Sequence, residues 1–376
     1  MAGIYLHIPF CRQACTYCNF HFSTSLKYKD DVLHAMHKEL ELQRNFLAGL
    51  PVETIYFGGG TPSLLSADEL NRLFEHIFQL FPVNELKECT LEANPDDLTN
   101  AYLKSLRSTP VNRFSIGVQS FKDSDLRYMN RAHNAGQADY AIKAAQDAGF
   151  TNITIDLIYG TPGLTDADWK HNLKQVRELQ LPHFSSYALT VEENTALHHK
   201  IKTKKTAPVD NEQSAAQFEI LMEQAEAMGF EHYEISNFAK PFQYAVHNTN
   251  YWKGLPYLGI GPSAHSFDGE NTRSWNIANN ATYAKALLQD GKRAYEEEKL
   301  TQEEHLNEYI MTSLRTMWGC DLAKIAGEWG HDQAKDIEKS SAEYQERNWV
   351  VVKDDKLILT PAGKLFADRI AGDLFV

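Results

Sequence analysis

Cys11, Cys15 and Cys18 stand at C-x3-C-x2-C spacing directly behind the short apolar run Ile4–Ile8. A loop that gathers three thiols after a strand must fold around what they hold, or else bury three reactive groups. A cube-shaped four-iron cluster normally takes four thiolates, so three local cysteines leave one iron open to bind a small molecule directly. The spacing therefore points to a reactive cluster more than to an electron wire. Two other uses remain open on these residues alone. A zinc knuckle wants four protein ligands, and His21 lies near enough in sequence to be the fourth. The three cysteines are otherwise free thiols. Cys89, in an apolar strand pattern, and Cys320, near a helix end, give no clear fourth ligand. Five cysteines with three clustered do not make a disulfide framework.

The chain has 376 residues, enough for one large and one smaller domain, with 43% hydrophobic and 23% charged residues, ordinary for a soluble globular protein. No apolar run approaches the length needed to span a bilayer. The start, Met1-Ala2-Gly3-Ile4-Tyr5, has no basic leader or cleavage signature. The expected location is cytoplasmic. Thirty-seven basic against 50 acidic residues give a net charge of −13, which argues against nucleic acid as a partner. The one basic run, His198–Lys205, reads as a solvated loop.

Six short apolar runs have strand character: Ile4–Ile8, Thr54–Phe57, Cys89–Ala93, Arg113–Val118, Ile153–Ile158 and Phe184–Leu189. Helical patterns alternate with them at about 28–48, 66–80, 98–107, 123–147 (broken near Ala135), 166–179 and 211–228. Continuous rather than alternating apolar runs are those of strands covered on both faces. The alternation predicts a parallel sheet with right-handed crossovers. Six units fall short of a closed eight-fold barrel, so the fold class is α/β, an open (β/α)6 partial TIM-like barrel. The expected organisation is a core over 1–235, an extension completing the sheet over 236–295, and a C-terminal unit over 300–376. The acidic stretch Glu296–Glu304 marks the last boundary. Beyond it, helices at about 302–317, 321–328 and 331–347 precede a hairpin, Trp349–Lys353 with Lys356–Leu359, and a final helix from Thr360-Pro361. That order resembles a winged-helix module. Its acidic turn suits a cover or a protein-docking surface better than DNA.

Functional residues of such sheets gather at the carboxyl ends of the strands. Five consecutive strand ends are polar here: the cysteines, then Gly58–Pro62, Glu92–Pro95, Gln119–Phe121, and Asp156 with Tyr159–Gly163. Packing explains this poorly. Three successive glycines offer a backbone surface against which a ligand can lie, although they equally suit a tight turn. Glu92 has the chemistry to accept from ribose hydroxyls or an ammonium. Asp156, inside an apolar strand, needs a partner. Arg131 has the chemistry to clamp a carboxylate.

Taken together, these motifs resemble the radical SAM superfamily, and within it the HemN/HemW group of coproporphyrinogen oxidase-like proteins. The carrying residues are Tyr5–Cys11, Cys15, Cys18, Gly58–Pro62, Glu92–Pro95, Gly117–Phe121 and Asp156–Gly160. The resemblance implies that Cys11, Cys15 and Cys18 hold a [4Fe–4S] cluster. It also implies that Tyr5, Gly59, Gly60, Thr61, Glu92, Gln119, Arg131 and Asp156 contact S-adenosylmethionine. Tyr17 would pack on the adenine, and Ala188, at the sixth strand end, would join the same site. The chemistry implied is reductive cleavage of the sulfonium after an electron arrives from a low-potential donor. The cofactors perform the hard step and the fold positions them.

Two departures from the oxygen-independent coproporphyrinogen III oxidase pattern bear on function. Phe20 stands where that pattern has a fourth cysteine, and the chain starts a few residues before the first strand, where that pattern has a long extension. A third feature, His247-Asn248-Thr249-Asn250-Tyr251-Trp252, matches the H-N-x-x-Y-W motif of haem chaperones of the group. A histidine ligates haem iron axially, which makes His247 the candidate haem ligand among 15 histidines. The favoured function is a haem chaperone delivering haem to apo-haemoproteins, membrane-bound respiratory enzymes among them. The alternative is oxidative decarboxylation of coproporphyrinogen III.

Overall fold

A computed structural model of the chain describes all residues, 1–376. Strand and helix alternate through β1 (Ala2–Ile8), α1 (Lys29–Leu42), β2 (Val52–Gly59), α2 (Ala67–Leu80), β3 (Glu88–Ala93), α3 (Asn100–Leu106) and β4 (Arg113–Gln119). Then follow α4 (Asp123–Tyr128), α5 (Ala135–Asp147), β5 (Asn152–Tyr159), α6 (Asp166–Glu178), β6 (His183–Ala188), α7 (Ala196–Lys202) and α8 (Asn211–Ala227). The helix starts are written in the sequence. Ser66 with Glu69, Asn134 with Gln137, and Thr165 with Asp168 form reciprocal capping boxes at α2, α5 and α6. The break near Ala135 is the gap between α4 and α5.

β1 to β6 pair in parallel in chain order. Both faces are covered, so Ile4, Leu6, Ile55, Phe57, Leu91, Phe114, Ile116, Ile153 and Ile155 are fully buried. The next segment adds β7 (Glu231–Glu234), β8 (Asn237–Ala239), α9 (Val246–Trp252), β9 (Tyr257–Ile260), β10 (His265–Phe267), β11 (Thr272–Asn276), α10 (Asn280–Leu288) and β12 (Tyr295–Lys299). It extends the sheet at both ends, giving twelve strands in the order β12-β11-β10-β9-β1-β2-β3-β4-β5-β6-β8-β7. β9 lies parallel to β1, so the parallel part has one strand more than the six-unit expectation. The sheet does not close.

The acidic run expected as a boundary is divided: Glu296–Lys299 belong to β12, paired antiparallel with β11, and Glu303 and Glu304 lie in the first turn of α11. All five residues of β12 are exposed, as suits an outermost strand whose charges discourage further pairing. Likewise, the basic run at 198–205 is not a loop. Most of it is α7, with Thr195 capping its start and His199, Lys200 and Lys202 in its last turn, where cations meet the negative end of the helix dipole.

The C-terminal region comprises α11 (Gln302–Leu314), β13 (Cys320–Asp321), α12 (Leu322–Glu328), α13 (His331–Ser340), α14 (Ala342–Glu346), β14 (Val350–Lys353), β15 (Lys356–Leu359), α15 (Pro361–Lys364) and α16 (Ala367–Asp373). Its three strands pair as β13-β15-β14. Sixteen buried apolar residues from Leu306 to Leu374 form a core separate from the 58-residue core of the large sheet. This region meets both margins of the open sheet. On the β7 side, Ile235 N donates to Arg315 O at 3.0 Å, Met317 N donates to Tyr233 O at 3.0 Å, and Arg315 pairs with the buried Glu234 at 3.2 Å. On the β11 side, Arg273 pairs with Glu308.

One buried carboxylate ties the extension to the core. Glu39 of α1 is fully buried and accepts from Gly261 N (2.9 Å), Asn276 Nδ2 (2.7 Å), Tyr283 OH (2.6 Å) and Arg293 Nε (3.1 Å). Burial raises its pKa, but the Arg293 guanidinium and the three other donors oppose that effect. Breaking such a pair strands the partner charge. Glu39→Ala should therefore cost about 3–5 kcal/mol, read as a lower urea midpoint. A midpoint within error of the parent would show that Arg293 finds water instead.

Candidate functional site

The cysteine loop leaves β1 at one end of the sheet and is held there by the segment after α4. Thr16 N donates to Met129 O at 3.0 Å, Asn130 Nδ2 to Ala14 O at 2.7 Å, and Gln13 Nε2 to Asn130 O at 2.8 Å. Leu197 N at the start of α7 donates to Thr16 O at 2.7 Å. Cys11, Cys15 and Cys18 are all free and partly exposed. Around them runs a circuit of hydrogen bonds. Thr61 Oγ1 donates to Cys11 Sγ (3.4 Å) and accepts from Asn94 Nδ2 (3.2 Å). Asn94 Oδ1 accepts from Arg131 Nη2 (2.6 Å), and Arg131 Nη1 donates to Cys15 Sγ (3.2 Å). Arg131 also reaches Gly117 O at 2.7 Å, while its Nε is buried with no partner. Burial opposes the guanidinium charge, but Tyr17 and Cys15 outweigh it and the pKa rises. Burial also pushes the Cys11 thiol up to about 11, against the pull of Thr61.

This geometry bears on which metal group fits. A single zinc ion needs four donors around one point. His21 instead donates from Nε2 to Asn280 Oδ1 at 2.7 Å, and no three His, Cys, Asp or Glu side chains converge on one ion position. The zinc knuckle is therefore not the arrangement present. Three free thiols with separate partners on one loop fit a cluster that takes each thiolate on a different iron.

The glycines have another use than the one expected. A Cβ on Gly59 would lie 2.6 Å from the His7 ring, and one on Gly60 would lie 2.7 Å from Phe10 O. Their absence lets β2 approach β1 and its loop; Gly59 also has φ +103°. Gly59 N donates to Glu92 Oε2 at 3.2 Å, and Tyr56 OH donates to Glu92 Oε1 at 2.8 Å. Tyr5 OH meets His7 Nδ1 at 3.0 Å, and His7 Nε2 meets His21 O at 2.9 Å. Since a carbonyl only accepts, His7 carries its proton on Nε2. Asp156 has Ser115 Oγ at 3.5 Å and is further eased by Ser185 and by the charges of Arg113 and Arg131. Gln119 ends β4 at φ +67°, where the β4–β5 register shifts, and its amide lies over Gly117 beside Arg131. Tyr17 packs against the apolar cluster of Leu126, Met129, Ile158, Leu189 and Leu197. Ala188 pairs with Tyr159 at the end of β6 and packs on the main core.

His247 is not with these residues. It is buried, with Nδ1 2.8 Å from Thr54 Oγ1, Nε2 2.7 Å from Tyr251 OH, and its ring stacked on Tyr56 at 5.1 Å. Burial and the Arg113 charge hold its pKa down at about 3, so it is neutral with both ring nitrogens engaged. An iron ligand needs one of them free. The expectation that His247 ligates haem does not match this placement.

The motif's last residues do line a cavity. About 730 Å³ opens between the sheet and the C-terminal region, bounded by Tyr5, Phe20, Tyr251 and Trp252 on the core side and by His305 and Tyr309 of α11 on the other. That volume falls within the range of small-molecule and cofactor sites. Sequence reasoning missed Asn94 as the bridge of the circuit, although it lay inside the quoted Glu92–Pro95 motif. It also missed Arg113, fully buried in β4 with Nη2 donating to Thr154 Oγ1 at 2.7 Å. An arginine within an apolar strand was the available signal.

Comparison with known proteins agrees with this architecture. The radical SAM superfamily model matches residues 5–176, and the HemN C-terminal domain model matches residues 300–366. The protein named heme chaperone HemW from Bacillus subtilis is 32% identical over 99% of this chain and 98% of its own. The protein of that name from Mycobacterium tuberculosis is 33% identical over 99% and 94%. The solved structure of coproporphyrinogen III oxidase (HemN) from Escherichia coli superposes with a TM-score of 0.85 at 24% identity, covering 100% of this chain and 90% of that one.

The two carboxylates carry a pH signature. Burial raises Glu92 to about 7 and Asp156 to about 6, above the usual carboxylate range. The folded chain thus keeps protons that the unfolded chain releases. The resulting stability is full below about pH 4 and is lost as pH rises through 6 and 7. Without ligand, Glu92→Gln should lose about 1–3 kcal/mol less than the parent between pH 5.5 and 8. Urea midpoints at both pH values check this; parallel slopes would refute it.

Proposed function

Since the chain belongs to the radical SAM superfamily, within the group of proteins named heme chaperone HemW, we propose that it binds haem and delivers it to apo-haemoproteins. Membership of the superfamily implies a [4Fe–4S] cluster and S-adenosylmethionine. In this reading Cys11, Cys15 and Cys18 hold the cluster, with Thr61 and Arg131 as donors to two of the sulfurs. Glu92 and Asp156 face the positive groups of S-adenosylmethionine. Binding a cation there favours their ionised forms, so it releases the protons they hold near neutral pH. Arg131 Nε is the buried donor left for a carboxylate. Tyr5, Gly59, Gly60 and Gln119 complete the walls around it. Tyr17 and Ala188 supply apolar surface at the far side. When bound, this pair of cofactors supplies one-electron reductive cleavage of the sulfonium, with electrons from a low-potential donor.

The observation that carries the haem reading is the cavity, whose lining includes Asn19 and Phe20, directly beyond the third cysteine. Phe20 is 67% exposed and presents an aromatic face where the oxidase-type pattern places a cysteine. Residents of the cavity therefore lie close to the cluster loop without being ligated by it. The structure has no helix long and apolar enough to cross a membrane. Delivery to a membrane-held recipient would accordingly proceed by docking.

The test uses full-length protein with its cluster reconstituted anaerobically. The parent should bind haem and, given S-adenosylmethionine, a low-potential reductant and coproporphyrinogen III, form no protoporphyrinogen by mass spectrometry. Replacing any of Cys11, Cys15 and Cys18 by Ala should remove the cluster absorbance and cleavage of S-adenosylmethionine. Decarboxylated product over many turnovers would instead make the chain an oxidase.

A further inference from the structure

Four histidines line the cavity: His7, His21, His265 and His305. His7 is engaged through both ring nitrogens, and His21 is fixed through Nε2 to Asn280 with its Nδ1 left free. His265 and His305 are different. Neither ring has a hydrogen-bond or carboxylate partner; His265 stacks on Trp275 at 5.8 Å and His305 meets Trp329 edge-on at 5.3 Å. His265 comes from β10 of the large sheet and His305 from α11, so the free imidazoles flank the cavity from its two sides. Burial and the neighbouring Arg273 charge lower the pKa of His265, and burial lowers that of His305. Both therefore present neutral imidazoles, the form that ligates metal.

The rest of the wall suits an amphipathic disc. Phe20, Trp252 and Phe267 offer aromatic surface, and two cations are in the lining, Arg273 of β11, paired with Glu308, and Lys324 of α12, over the Tyr309 ring. Haem presents two apolar faces, an iron that takes an axial imidazole, and two carboxylates that arginine and lysine bind well.

We propose that this interdomain cavity is the haem subsite, with the axial imidazole drawn from the His265/His305 pair and not from His247. The inference rests on the haem-binding reading above and adds the place and the ligand. His247, held between Thr54 and Tyr251, then acts as a structural pin that sets Trp252 in the cavity wall.

The test separates ligand loss from loss of the cavity by titrating two probes, ferric haem and metal-free protoporphyrin IX, which needs no axial ligand. The double variant His265→Ala/His305→Ala should bind haem about tenfold or more weakly. Its Soret band should shift, while protoporphyrin IX affinity stays within about twofold. The single variants then show which imidazole the iron takes. Phe20→Glu, on an exposed side chain, should weaken both probes and leave the cluster absorbance unchanged. A double variant with the parent's Soret band and haem affinity would overturn the proposal. So would loss of iron ligation in His247→Gln alone with protoporphyrin IX still bound. If the parent bound neither probe, the haem-binding function itself would fall, a result distinguishable from either of these.

Discussion

The circuit Cys11–Thr61–Asn94–Arg131–Cys15 is what the cysteine loop depends on. A loop of small and polar residues has little apolar surface with which to fix itself. Here two of its thiols are tied to three strands at once: Thr61 follows β2, Asn94 follows β3, and Arg131 donates to Gly117 O of β4. The same guanidinium offsets a cost. Burial raises Cys11 and Cys18, so the ligand-free loop holds protonated thiols, and metal binding must expel those protons. A permanent positive charge touching Cys15 and felt at Cys11 and Cys18 makes that expulsion easier. One residue thus serves geometry and ionisation together.

Below the circuit, many polar side chains lie buried in the sheet, and one group of them is paired in a chain. Glu92 accepts from Tyr56, whose ring stacks on His247, which bonds Thr54 and Tyr251. Glu88 accepts from Val246 N and His247 N at 2.7 and 3.0 Å, satisfying the start of α9. The H-N-x-x-Y-W segment therefore works as a wedge between the sheet and the C-terminal region. Its histidine points inward to β2 while its tyrosine and tryptophan point outward to the cavity. A hydrogen-bonded wedge fixes one orientation in a way that an apolar plug of the same volume does not.

The six core strands were legible because both of their faces are buried, which removes ambiguity about alternation, and because capping boxes mark the helices between them. Placement of the cysteines, Thr61, Glu92 and Gln119 at or near strand ends, and of Asp156 within β5, followed from the same periodicity. What the sequence hid has a common cause: charge and polarity read alike whether exposed or paired. Glu296–Glu298 looked like part of a domain boundary and belong to the outermost strand. Lys200 and Lys202 looked like a loop and close a helix. The Gly58–Gly60 run read equally as a ligand surface or a tight turn, and the space beside Gly59 and Gly60 that the His7 ring and the Phe10 backbone fill was not visible in it. His247 looked like a ligand because its two hydroxyl partners, Thr54 and Tyr251, are visible only once the strands are placed.

The open sheet explains why the C-terminal region contacts it so unequally. Seven parallel strands leave a wide mouth, and the region spans it with one ion pair at each margin. At β7 the pair Glu234–Arg315 is largely enclosed, with side-chain exposures of 1% and 22%, and two backbone hydrogen bonds accompany it. At β11 the pair Arg273–Glu308 is more open, at 36% and 26%. Pairs of the second kind contribute about 0–1 kcal/mol, whereas breaking an enclosed pair costs several times as much. The β7 margin is thus the fixed attachment, and the β11 margin is the weaker one. The cavity lies on the weaker side, bounded by Arg273 and Glu308 themselves. The contacts that enclose its contents are the least costly in the interface to break, which is the arrangement a carrier needs and a permanently sealed active site does not.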